Sequence, residues 1–259
     1  MKQLRQSAAS SLLSLLIWLF MLSDYAESNP VTFIVVNNCP FTIWPATAPN
    51  TGNPVIPDDG FCLPPGEAKR IQAPPTWSGR LWARTGCDFT TKSNHACQTG
   101  DCQGRYACDG VIGTPPATLV EVSLQPIKSS FDVSLVDGYN LPVSVYANTK
   151  SVDEGNCYIG GCGKNINSCC PPELQVKDGR GTVVACKSAC LAFNLDVFCC
   201  RNAYGSPGKC KANVYSKLFK DACPSYYSYA FDKPSSVSCS SKEYIITFCP
   251  SGWGDHILI

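Results

Sequence analysis

Sulfur dominates the reactive side chains of this sequence. Its 259 residues include 18 cysteines and only 2 histidines, and every cysteine falls between Cys39 and Cys249. An even number of thiols in an exported chain reads as a disulfide framework, not as metal ligands or catalytic nucleophiles. Imidazole is too scarce for the usual zinc sets or for a Ser-His-Asp triad: His95 lies in a cysteine-rich loop and His256 near the carboxyl end. No glycine loop of the phosphate-cradling kind occurs. Cys169-Cys170 and Cys199-Cys200 are adjacent pairs. Neighbouring Cα atoms are about 3.8 Å apart, below the usual disulfide range of about 4.4 Å and upward. Each member is therefore expected to bond to a different segment, although spacing leaves the connectivity open.

Carboxylates are the other candidates. In Thr118–Leu124, Val120, Val122 and Leu124 share one face of a strand and Glu121 takes the other; in Phe131–Leu135, Asp132 stands opposite Phe131, Val133 and Leu135. Asp137 opens an Asp-Gly turn. Two polar strand faces can form a cleft wall, and paired carboxyls are what glycosidic cleavage requires: one acid for the leaving oxygen and one base or nucleophile. The pattern by itself favours solvated surface carboxylates and an ordinary turn.

The elements that must position these residues begin after an export signal. Lys2 and Arg5 precede an apolar run, Leu12–Leu22, broken only by Ser14, and Ala26-Glu27-Ser28 supplies small residues for cleavage after Ser28. The run is shorter than the roughly 20 residues that span a bilayer, and no integral membrane segment is expected beyond it. Removing 1–28 takes away Lys2, Arg5, Asp24 and Glu27, so the net charge stays at +1. That balance excludes any global pull towards nucleic acid or anionic membranes.

Strands are predicted at Val31–Asn37, Thr42–Trp44, Arg80–Arg84, Thr118–Leu124, Phe131–Leu135, Val143–Tyr146 and Tyr244–Cys249. Residues 46–78 read as turns and short edge strands. The helical spacing of Cys186, Cys190 and Phe193 predicts one short helix, and Asn213–Lys220 a second with Val214, Leu218 and Phe219 inward. Many short strands between Gly/Pro turns predict a mainly β fold, an antiparallel β-sandwich carrying disulfide-rich loop modules. There is no internal repeat and no Asn-x-Ser/Thr sequon.

Cys97-Gln-Thr-Gly-Asp-Cys102, followed by Gly104 and Cys108, resembles the signature of the thaumatin-like family, with Ser93 and His95 departing from its upstream positions. Asn38–Trp44, Trp82–Cys87, Pro116–Glu121, Asp137–Pro142, Cys186–Cys190 and Ile246–Pro250 are similar to further blocks in family order, together covering 31–250. The resemblance implies a sandwich from 29–84, 113–156 and 224–250, a small disulfide loop domain at 85–112, a large disulfide domain with short helices at 157–223, and a tail at 251–259. It also implies eight bridges: Cys39–Cys249, Cys87–Cys97, Cys102–Cys108, Cys157–Cys239, Cys162–Cys223, Cys170–Cys186, Cys190–Cys199 and Cys200–Cys210. Cys62 and Cys169 remain, and the even count leads us to expect a ninth bridge between them.

The family's acidic cleft, carried over residue by residue, falls on Arg80, Glu121, Asp132, Asp137 and Asp232. The implied function is that of a secreted, pathogenesis-related plant defence protein, antifungal through binding of β-1,3-glucan or another fungal surface component. The alternatives are a weak endo-β-1,3-glucanase, with Glu121 as acid and Asp137 activating water, and a hydrolase-inhibitor or interaction module. A monomer without cofactor or metal is expected, extracellular, or vacuolar if the tail is a sorting signal.

Overall fold

A computed structural model describes residues 29–90, 93–149, 157–233 and 236–250. The expected signal (1–28) and tail (251–259), with His256, lie outside the described residues. Twelve strands are described: β1 (Val31–Asn37), β2 (Ile43–Pro49), β3 (Ala68–Ala73), β4 (Ser78–Thr85), β5 (Leu119–Ser123), β6 (Ser129–Ser134), β7 (Val143–Ala147), β8 (Tyr158–Ile159), β9 (Gln175–Lys177), β10 (Val183–Cys186), β11 (Val237–Cys239) and β12 (Glu243–Phe248). Sheet A runs β3-β1-β12-β7-β8 and sheet B runs β11-β6-β5-β4-β2; β9 and β10 form a separate ribbon.

Alternation builds the sandwich. In β1, Val31, Phe33 and Val35 are buried while Thr32, Ile34 and Val36 are half-buried. Inward side chains of β5 and β6 (Val120, Val122, Phe131, Val133) join them in one core. Phe131 of sheet B meets Tyr244 of sheet A edge to face, ring centroids 5.6 Å apart, in the geometry aromatic pairs favour. The strand pairs are antiparallel except β1 with β12, which is parallel and sets Asn37 opposite Phe248. Both chains leave the sheet at the same end, which brings Cys39 beside Cys249 for their bridge, Cα atoms 5.0 Å apart.

The eight bridges that the resemblance implies all form. The ninth does not: Cys62 and Cys169 are free and exposed. Cys62 lies beside the 85–112 segment, its amide donating to the Tyr106 hydroxyl at 3.0 Å. Cys169 ends a short helix, α1 (Ile166–Cys169), in the cysteine-dense segment.

Three further helices follow: α2 (Ala189–Phe193), α3 (Asp196–Cys199) and α4 (Val214–Ala222). Cys186 belongs to β10 rather than to a helical face. α2 starts only at Ala189, because the Ser188 side chain caps the Leu191 amide. Val214 is 72 % exposed, contrary to its predicted inward position; Ser216, Phe219 and Ala222 are the buried residues of α4. Asn213 and Ser216 close a reciprocal capping box, which sets the helix start and therefore its face.

Candidate functional site

The pairing of three neighbouring strands assembles the acidic site. Arg80 on β4 stands opposite Glu121 on β5, and Glu121 stands opposite Asp132 on β6. Directly opposed residues share a face, with Cβ atoms about 5 Å apart. Leu81, Val120, Val133 and Phe131 point into the core between the sheets, so the row lies on the outer face of sheet B. Arg80 Nη2 is 4.0 Å from Glu121 Oε1 and donates to Asn50 Oδ1 at 3.1 Å. Asn50 is itself tied to β4, its Nδ2 donating to Ser78 Oγ at 2.8 Å and its amide to the Ser78 carbonyl at 2.9 Å. Asn50 was missed in the sequence, where it is one polar residue in a Pro- and Gly-rich stretch.

Asp137, in the turn after β6, feels the charge of the same arginine. Gly138 has φ +87°, and a Cβ there would lie 2.5 Å from Pro116 Cβ and 2.7 Å from the Cys186 carbonyl oxygen. Only glycine fits so close an approach at such a φ. The Asp137 carbonyl accepts from the Ala117 amide at 3.1 Å, and Tyr139 and Cys186 exchange two backbone hydrogen bonds of 2.8 Å. Asp137 is thereby held where the sandwich meets the cysteine-dense segment.

Burial raises the Asp137 carboxyl above its usual range, and Arg80 opposes that rise. Asp132 is pushed up to about 7, first by burial and then by the Glu121 carboxylate. Crowded like charges and desolvation both favour the neutral acid. The row thus offers a proton donor next to hydrogen-bond acceptors, and the charge of Arg80 acts on both Glu121 and Asp137. Asp232 is engaged elsewhere. Its Oδ2 accepts from the Ser228 amide and hydroxyl, both at 2.9 Å, and pairs with Lys220 Nζ at 3.0 Å. Burial would raise its pKa, but these hydrogen bonds and Lys220 bring it below the usual value. Neither its hydrogen bonds nor its ion pair reaches the other four residues. Among the described residues, no group of three or more His, Cys, Asp or Glu is arranged to hold a metal ion.

The family model described as the Thaumatin family matches residues 37–250. The chain belongs to the thaumatin family. A thaumatin-like protein of Arabidopsis thaliana is 46% identical over 93% of this chain and 98% of that protein. An osmotin-like protein of Solanum lycopersicum is 46% identical over 94% and 99%, and pathogenesis-related protein 5 of Arabidopsis thaliana is 47% identical over 84% and 90%. Among solved structures, a laminaripentaose-producing β-1,3-glucanase in complex with laminaritetraose has a TM-score of 0.58 at 12% identity, covering 84% of this chain and 98% of that one. At that identity the likeness is one of fold. In this member of the thaumatin family, the matched span contains Arg80, Glu121, Asp132, Asp137 and Asp232.

Proposed function

We propose that this thaumatin-family chain is an exported plant defence protein that binds β-1,3-glucan of fungal walls through the outer face of sheet B. The observation that carries the reading is the cross-strand row Arg80–Glu121–Asp132, with Asp137 within the electrostatic reach of the same arginine. Sugar hydroxyls both donate and accept. Carboxyl oxygens such as those of Glu121 accept, while a carboxyl that keeps its proton to about 7, as at Asp132, also donates. Binding therefore needs no bond to break. Calorimetric titration with a soluble β-1,3-gluco-oligosaccharide tests this: Glu121→Gln should weaken binding about tenfold. Equal affinity of parent and variant would reject the site.

A second reading, slow endo-hydrolysis of the same polymer, is favoured by the raised pKa of Asp132. A protonated carboxyl beside ionised ones is the arrangement that protonates a leaving oxygen. This reading gives the acid role expected of Glu121 to Asp132 and keeps Asp137 as the candidate base. Release of reducing ends by the parent, lost in Asp132→Asn, would establish turnover. No release from either protein would leave binding alone.

A further inference from the structure

The opposite side of the sandwich carries an aromatic platform that the acidic row does not use. On the outer face of sheet A, Arg70 of β3 stands opposite Ile34 of β1, and Ile34 opposite Ile245 of β12. Ile245 in turn faces Tyr146 of β7, and Tyr146 faces Tyr158 of β8. The row crosses five strands, roughly 19 Å at the usual strand spacing. Tyr146 and Tyr158 are each 44% exposed and are direct cross-strand neighbours, so their side chains start about 5 Å apart. Two residues beyond Tyr158 on the same face is Gly160, where even a Cβ would lie 3.5 Å from the ring's Cε1. The outer part of the Tyr158 ring thus comes within van der Waals reach of the chain at Gly160.

We propose that this face is a second carbohydrate-binding surface, which takes the flat side of a neutral polysaccharide chain. A pyranose ring has an apolar C–H face and a rim of hydroxyls, and a tyrosine offers an apolar ring with a polar tip. The charges on the face cancel: Arg70 pairs with Glu243, and Glu243 Oε1 also accepts from Asn148 Nδ2 at 3.1 Å. Asn148 and Glu243 also border a concavity of about 510 Å³, completed by Gln125, Ser241 and Lys242 among others, whose amide, hydroxyl and amine groups suit sugar hydroxyls. A second protein is the poorer match. A stable interface buries about 1,200–2,000 Å² in total, whereas Tyr146 and Tyr158 are the only exposed large hydrophobic side chains among the described residues of this sheet. The platform stands independently of the acidic row, because the two sheets turn their inner faces to each other.

Depletion binding of the full chain to particulate β-1,3-glucan tests the proposal, with a soluble β-1,3-gluco-oligosaccharide as the control for the acidic row. Tyr146→Ala/Tyr158→Ala should lose about tenfold in affinity for the particles and keep the parent's affinity for the soluble ligand. Tyr146→Phe/Tyr158→Phe, which keeps both rings and guards against misfolding of the alanine variant, should stay within about threefold of the parent. Glu121→Gln should lose soluble binding and, because the row takes the same polymer, part of the particulate binding, whereas the alanine pair spares the soluble ligand, so each site can fail without the other. Particulate binding equal to the parent's in the alanine variant, or none in the parent, would overturn the proposal. So would a parent that sediments as a dimer and becomes monomeric on loss of the two rings.

Discussion

At Asp132, burial and the Glu121 carboxylate act in the same direction, raising the pKa from 3.8 to about 7. The folded chain then binds more protons than the unfolded one between those values, so this residue's contribution to stability falls as pH rises through that window. Asp137 has the same sign; Asp232, with a lowered pKa, has the opposite one and loses its contribution as pH falls. Asp132→Asn should therefore be more stable than the parent at pH 8 by about 2–4 kcal/mol, with the gain gone near pH 4. Paired denaturant titrations read this difference, and a gain independent of pH would contradict it. Asn50→Ala makes a second residue-level test. It frees the guanidinium that opposes the rise of Asp137, so carboxyl NMR should record the Asp137 midpoint moving up; an unchanged midpoint would show that Arg80 needs no such hold. The outward placement of Glu121 and Asp132 was legible from alternation alone. Asn50 was not, because its role depends on a contact with Arg80 thirty residues away in sequence.

Among the elements, the 85–112 segment is fastened to sheet B by a buried side chain. Arg84 of β4 is 0% exposed. Its Nε donates to the Trp44 carbonyl at 3.0 Å, Nη1 to that of Arg105 at 2.7 Å and Nη2 to that of Tyr106 at 2.9 Å. Asp101 steadies the loop from within, accepting from the amides of Ala96 and Cys97 at 3.0 Å and Gly104 at 2.8 Å. Arg84→Ala would remove these three side-chain hydrogen bonds from a buried site and should cost about 3–5 kcal/mol. Hydrogen exchange should accelerate at residues 96–106, and protection equal to the parent's would show that the bridges Cys87–Cys97 and Cys102–Cys108 hold the segment unaided. In the sequence, Arg84 looked like one more charged strand residue; its burial comes from the loop folding over it. In α4, Phe219 is buried and Leu218 packs against the core as expected, and the exposure of Val214 has a local cause of the same kind. The Asn213 cap sets the helix start, and Val214, the first residue after it, emerges into solvent.

Over the whole molecule, the covalent frame follows the strand order. The parallel pairing of β1 with β12 brings together cysteines 210 residues apart, and in the chain-entropy model such a closure stabilises by roughly 5 kcal/mol. Cys39→Ser/Cys249→Ser should lower unfolding stability by that order; a change below about 1 kcal/mol would mean that the paired strands hold the closure unaided. Alkylation of the unreduced protein should tag two thiols, at Cys62 and Cys169; full blockage of both would restore the ninth bridge. The mainly β class and the framework of bridges were legible because strand alternation and cysteine spacing are written locally. The parallel pair, the two free thiols and the pairing of Asp232 with Lys220 were not, since each depends on which segments become neighbours.

The central claim is that the outer face of sheet B holds sugar through its crowded carboxyls. The most direct measurement follows the side-chain carboxyl NMR signals of Glu121, Asp132 and Asp137 during titration with a soluble β-1,3-gluco-oligosaccharide at pH 6. The account predicts that all three shift together along one saturation curve, with Asp232 unmoved in its pairing with Lys220. Saturating ligand that leaves the three signals in place, or moves only those of Tyr146 and Tyr158, would contradict it.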